Sequence, residues 1–257
     1  MKPLLRAAPE AFEPLDRFRA EQPAATWDDF RAFELGAGYQ SIRAALVAAQ
    51  GGLCAYCEIR FPPGIGGLWV QVEHVVEKSL SEHETGGPNL HLAAENLVAS
   101  CTGGAQRTLA KPEALDEAQR WYMQPLPENL SCGQAKERHK GAALIDPRDL
   151  SAGLMPIACN MLGELVVNEA DARAAGLAKT DLESTLEILG LNCPRLVYAR
   201  LAAWMDVEEE FEDFDELDWD PDRFEAYCAL YLAPDEDGRL VEFWTTVRSC
   251  LGQAIPV

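Results

Sequence analysis

Residues 71–80 read QVEHVVEKSL, and the placing of Glu73 beside His74 decides the fold. The β-branched valines mark a strand. Neighbours on a strand point to opposite faces, so one member of the pair would face the core. An unpaired charge there would be costly. Either the strand ends at this pair or something cationic compensates it.

The chain around it has 257 residues, 48% of them hydrophobic and 25% charged, the balance of a globular protein. That length makes one large or two small domains. No apolar run approaches the roughly 20 residues that span a bilayer, so no membrane partner is expected. The opening MKPLLRAAPEAFEPL lacks a sustained apolar stretch and is a poor signal peptide, so a cytoplasmic protein is expected. The formal charge is −20, and residues 151–257 carry most of it, with 7 Lys and Arg against 22 Asp and Glu. An acidic protein repels nucleic acid at long range. This counts against unaided nucleic-acid binding, but not against a small catalytic cleft or a basic partner that brings the substrate.

Punctuation residues divide the chain. Residues 26–49 read as two helices, the first capped by Thr26 and the second stopped by Gly51-Gly52. CEIRF and LWVQVEH read as two β runs around a Pro/Gly turn. Residues 81–95 read as a polar loop, with His83 and His91 at the surface. KPEALDEAQRWYM is helix-like. PIACN-MLG-ELVVN reads as a β-hairpin with Gly163 in its loop. Thr180 with Glu183 reads as a capping box opening DLESTLEIL, which Gly190 closes. Pro194 opens PRLVYARLAAWMDVEEEFEDF, Asp220-Pro221 opens DRFEAYCALYL, and RLVEFWTTVRSCL is a last helix. The acid concentrates in EEEFEDFDELDWD, whose simplest reading is a solvated face; a docking surface for a basic partner is the sharper one.

Eight cysteines in a reducing compartment point to metal, redox or core chemistry rather than a disulfide framework. Cys54 and Cys57 form C-A-Y-C, which serves a redox dithiol or a zinc knuckle. A thioredoxin-like site would need a βαβ unit, and none follows, so zinc leads. Cys101 and Cys132 each lie beside a Gly-containing turn, the usual setting of a knuckle, although thirty residues separate them. Cys159, Cys193, Cys228 and Cys250 sit in apolar contexts and read as small buried hydrophobes.

In order, the chain presents CAYCE at 54–58, VEHVVEKS at 72–79, ENLVASC at 95–101 and SCGQAKERHKG at 131–141. This series resembles the HNH endonucleases of the ββα-metal (His-Me finger) fold, and more narrowly the PtuB-type HNH subunits of Septu and retron-associated anti-phage systems. TWDDF, the IDPR turn and LEILGLNCPRLVYAR extend the likeness over most of residues 26–205. The resemblance implies that His74 is the general base, Glu73 a ligand of a catalytic Mg²⁺ or Mn²⁺, and Asn96 a brace for the loop and the base. It implies a structural Zn²⁺ on Cys54, Cys57, Cys101 and Cys132. It also implies a PtuA-like ATPase partner, in some systems with a retron reverse transcriptase and its RNA–DNA product. Such proteins place a His or Asn just after the last zinc cysteine as the final metal ligand. Here that stretch is Gly133-Gln134-Ala135, so Gln134 and His139 are the candidates.

The chemistry is intelligible from the residues alone. Phosphodiester hydrolysis needs a base near water, a cation near the leaving oxygen and fixed geometry. An imidazole accepts protons near neutrality, and a carboxylate holds a hard divalent cation. Lys136, Arg138 and Lys140 form a basic run in an acidic chain and are expected at phosphates. The expectation is an α+β protein: a zinc-stapled ββα-metal core embedded in mostly helical surroundings, cleaving DNA or RNA. Its segments would be a helical 1–50, a nuclease core at 51–150 and an acidic helical region with a β-hairpin at 151–257. The rival is a zinc-stabilised scaffold whose nuclease site has decayed.

Overall fold

A computed structural model describes residues 1–62, 69–82, 87–104, 127–137, 139, 141, 144–151, 153–212 and 221–254. Three helices come first: α1 (Glu13–Glu21), α2 (Trp27–Ala32) and α3 (Ala37–Ala49). Thr26 begins α2 as expected, through a full capping box: Asp29 N donates to its hydroxyl, and its own backbone N–H donates to the Asp29 carboxylate. Phe18, Trp27 and Phe30 interlock between these helices at centroid separations of 5.3–5.5 Å.

The ribbon that follows pairs β1 (Val70–His74) antiparallel with β2 (Leu97–Cys101), with Val72 opposite Ala99 and His74 opposite Leu97. Of the two β runs expected around the Pro/Gly turn, LWVQVEH supplies β1 and CEIRF forms no strand. CEIRF wraps the cysteine knuckle instead, with Glu58 at φ 64° and only an isolated bridge between Leu53 and Arg60. The outer edge of β2 is closed by side chains. Gln50, at the end of α3, donates to the carbonyls of Leu53 and Ala99 at 2.8 Å each and accepts from Ala99 N at 2.7 Å. A buried strand edge needs such partners; Arg148 supplies one at the Leu97 carbonyl and the Cys54 sulfur another at Cys101 N.

A short helix, α4 (Cys132–Lys136), packs against β2. Beyond it lie β3 (Ile157–Cys159) and β4 (Leu165–Val167), paired as the expected hairpin with Gly163 at φ 78°. A Cβ at Gly163 would stand 2.3 Å from the Val197 carbonyl, so glycine is required there. Next come α5 (Glu169–Ala174), α6 (Lys179–Ile188), α7 (Pro194–Glu212), α8 (Pro221–Leu232) and α9 (Trp244–Ala254). Pro194 and Pro221 occupy first positions as expected. Thr180 does not cap: α6 begins one residue earlier, and its N-cap, Ala178, offers no side-chain bond. The last helix starts at Trp244, later than RLVEFWTTVRSCL suggested.

The protein is therefore mostly helical with two small antiparallel sheets, and one apolar core joins the elements, from Leu15 and Ile42 through Leu97 to Leu182 and Val247. The KPEALDEAQRWYM segment, His83 and residues 213–220 lie outside the described residues. Among the described residues, no helix is long and apolar enough to cross a membrane.

Candidate active site and zinc centre

Cys54, Cys57, Cys101 and Cys132 converge with their sulfurs within 4.8 Å of one another, all buried. Neighbouring sulfurs lie 3.6–3.8 Å apart. Four thiolates on a tetrahedral zinc, at a Zn–S distance of about 2.3 Å, would stand roughly 3.8 Å apart. Burial pushes Cys57 and Cys132 well above their ordinary range, while hydrogen bonds from the neighbouring thiols outweigh burial at Cys54 and hold it well below. A dication held by all four removes the cost of burying thiolates. Backbone N–H groups of Cys101 and Gly103 point at the sulfurs of Cys54 and Cys101, both at 3.3 Å. A Cβ at Gly103 would meet the Ser131 carbonyl at 2.1 Å, which explains the glycine of the ASCTGG turn.

The knuckle is fastened on two sides. Glu58 accepts from Thr245 N and Oγ1 at 2.7 and 2.6 Å, and the Met1 ammonium lies 3.1 Å away. On the other side Arg195, 1% exposed, donates to the Asn129 carbonyl at 3.2 Å and to the Ser131 hydroxyl at 2.7 Å, just ahead of Cys132. The other four cysteines, Cys159, Cys193, Cys228 and Cys250, are buried in the apolar core.

β1 ends at His74, and alternation along it sends Val70, Val72 and His74 inward while Gln71 and Glu73 stay half-exposed. The His74 ring meets Trp27 edge-on, centroids 4.9 Å apart. Its Nε2 lies 3.1 Å from the His91 carbonyl. A carbonyl only accepts, so Nε2 carries the proton and Nδ1 keeps its lone pair. Burial lowers the His74 pKa to about 4, which leaves the ring neutral at pH 7. His91 is not the surface residue expected from sequence: besides this carbonyl, its Nδ1 accepts from Trp27 N at 3.3 Å.

Asn96, 5% exposed, holds the chain just past His74, donating to the Val76 carbonyl at 2.8 Å and accepting from Val76 N at 2.7 Å. Glu73 turns the other way. Its carboxylate lies 3.0 Å from Lys136 Nζ, and the same ammonium donates to the His74 carbonyl. Burial raises the Glu73 pKa, and Lys136 works against that rise.

These groups open into one cleft of about 450 Å³. Glu73, His74 and Lys78 form one side, Gly133 and Lys136 another, and Trp27, Arg31 and Tyr39 of the N-terminal helices the third. Of the other expected site residues, Gln134 and His139 do not line it. The Gln134 stem packs toward the Gly103 turn, and His139 is exposed beyond α4. Arg138 and Lys140 lie outside the described residues. Sequence reading did not single out Trp27, Arg31, Tyr39 or Lys78 as cleft residues. Trp27 lies in TWDDF and Lys78 in VEHVVEKS, both part of the resemblance, but neither was assigned a role.

An antiparallel ribbon with a histidine at its end, a short helix behind it and a thiolate cluster stapling the two make the ββα-metal core of HNH nucleases. No family model matches the chain. Over 218 residues it is 32% identical to an Escherichia coli protein named "Retron Ec83 putative HNH endonuclease", the match taking in 78% of each chain. The chain belongs to the family of that retron HNH endonuclease.

Proposed function

We propose that the protein is a metal-dependent endonuclease that hydrolyses phosphodiester bonds of DNA or RNA, as the effector of a retron-type anti-phage system. The observation that carries this reading is the His74 environment: a neutral imidazole with Nε2 held by the His91 carbonyl and Nδ1 able to take a proton, on the cleft that Glu73 shares.

In the reaction, His74 Nδ1 removes a proton from water as the water oxygen bonds to phosphorus. The bond from phosphorus to the leaving oxygen breaks, and that oxygen takes a proton from solvent. Asn96 keeps the chain after His74 in place. Arg31 and Lys78 face the same cleft and suit the flanking phosphates. Glu73, an oxygen donor, would hold Mg²⁺ or Mn²⁺, and the bound cation would stabilise charge on the departing oxygen. Control by a PtuA-like ATPase, with a retron reverse transcriptase and its RNA–DNA product, fits a chain of net charge −20, which meets nucleic acid poorly alone.

The test compares the wild-type chain with His74→Ala on plasmid DNA and on tRNA, with and without Mg²⁺, alone and with a PtuA-like ATPase. Metal-dependent nicking or cleavage should appear in the wild type and fall about 10²–10⁴-fold in the variant, with zinc content unchanged. Equal activity of the two proteins would refute the reading. A scaffold role is favoured by one observation, the engagement of Glu73 by Lys136. In that case His74→Ala would leave phage protection intact.

A further inference from the structure

Gly133 directly follows the last zinc cysteine, and it faces Glu73. A Cβ there would stand 2.7 Å from Glu73 Oε2 and 3.0 Å from Cδ. The position from which a ligand side chain would meet the metal on Glu73 thus carries no side chain. Three residues on, and so on the same helical face, Lys136 reaches that carboxylate. Its side chain is 5% exposed, its Nζ lies 3.0 Å from Glu73 Oε1, and a second N–H goes to the His74 carbonyl. An ammonium has three protons, which leaves one for a third acceptor. Lys136 lines the cleft, so a phosphate oxygen entering there can be that acceptor.

We propose that Lys136 and the divalent cation exchange on Glu73: the ammonium neutralises the carboxylate, and the metal binds it only as Lys136 swings to another acceptor. This rests on the reading of Glu73 as a metal ligand. A dication and an ammonium within a few ångströms repel, so each weakens the other's hold on one carboxylate. Lys136 keeps the His74 carbonyl when it leaves Glu73, which makes the exchange a short swing rather than the exposure of an orphaned charge. A phosphodiester in the cleft attracts the freed ammonium, so phosphate and metal bind cooperatively, and by linkage each strengthens the other. Lys136 is then a positioning residue that ties assembly of the metal site to the presence of nucleic acid.

The experiment titrates Mn²⁺ into the zinc-loaded full-length chain, read by electron paramagnetic resonance, for wild type, Lys136→Met and Glu73→Gln. Lys136→Met should bind Mn²⁺ about tenfold or more tightly than wild type, and Glu73→Gln should lose the site. In the wild type, mass-spectrometric mapping of amine acetylation should show Lys136 becoming more reactive as Mn²⁺ is added. Unchanged affinity in Lys136→Met, with the site lost in Glu73→Gln, overturns the exchange and leaves Glu73 as a ligand. Unchanged binding in Glu73→Gln overturns the metal reading itself, and the exchange with it. Should Lys136→Met fail to fold with its zinc, the acetylation decides: no rise in Lys136 reactivity at saturating Mn²⁺ refutes the proposal.

Discussion

Asn96 pairs with the backbone of Val76 in both directions, at 2.7 and 2.8 Å, as a neighbouring strand would. The ribbon has ended by Val76, so one buried side chain continues its hydrogen bonding past His74 and sets the direction in which the chain leaves. Asn96→Ala removes these two bonds, each worth about 1 kcal/mol net, and a longer one to the Leu90 carbonyl at 3.4 Å. The expected result is about 2 kcal/mol less stability in denaturant melts and a fall of tenfold or more in kcat. KM should hardly move, because Asn96 faces the loop rather than substrate. A KM effect larger than the kcat effect would contradict this role.

Trp27 is the second residue that fixes the base. It stands edge-on to His74 at 4.9 Å, and its backbone N–H holds the His91 ring whose carbonyl takes His74 Nε2. The N-terminal helices therefore build part of the site. Trp27→Leu keeps an apolar side chain but leaves the imidazole loosely held. It should lower kcat about tenfold in steady-state cleavage, with one zinc retained. Thr26→Ala, which removes the cap of α2, should cost only about 1 kcal/mol of stability and little activity.

Much of this was legible in the sequence because it is local. A strand stopping at Glu73-His74, a Thr26 cap, Pro194 at a helix start and Gly163 in a hairpin are each decided by a few neighbouring residues. The Cys54–Cys57 pair was legible from its C-A-Y-C spacing, whereas Cys101 and Cys132 joined it through the resemblance. What was not legible depends on segments distant in sequence. Lys136 meets Glu73 across 63 positions, and Glu58 meets Thr245 across 187. CEIRF has β-forming residues, yet the geometry of the thiolate cluster overrides that propensity and turns Glu58 to positive φ. Gln134 is a candidate by its place after Cys132, yet it does not line the cleft. Which helical face meets β1 could not be read from spacing, and that face carries Gly133 and Lys136.

Arg195 should matter as much as a zinc ligand's neighbour can. Its guanidinium is buried and holds the Asn129 carbonyl and the Ser131 hydroxyl, immediately before Cys132. Arg195→Met takes the charged donor from both oxygens and leaves them only weak sulfur contacts, at a cost of about 3 kcal/mol, measurable in guanidinium melts. Zinc should also escape faster to a chelator. Arg195→Lys should rescue poorly, because an ammonium cannot reproduce the fork that reaches both acceptors.

The cysteines offer the sharpest contrast, because all eight are buried and free while only four converge. Cys101→Ser removes a soft donor from the cluster, and serine at that position cannot stand in as a thiolate. Loss of zinc there removes folding energy outright, since the ribbon, the knuckle and α4 meet at the cluster. The variant should therefore fall below one zinc per chain by elemental analysis and lose its cooperative thermal transition. Cys228→Ser in α8 exchanges a thiol for a hydroxyl in the apolar core, costs about 1–2 kcal/mol and leaves zinc at one equivalent. Chelation of the wild type should reproduce the first result and not the second. Retention of full zinc by Cys101→Ser, or its loss in Cys228→Ser, would place the metal elsewhere.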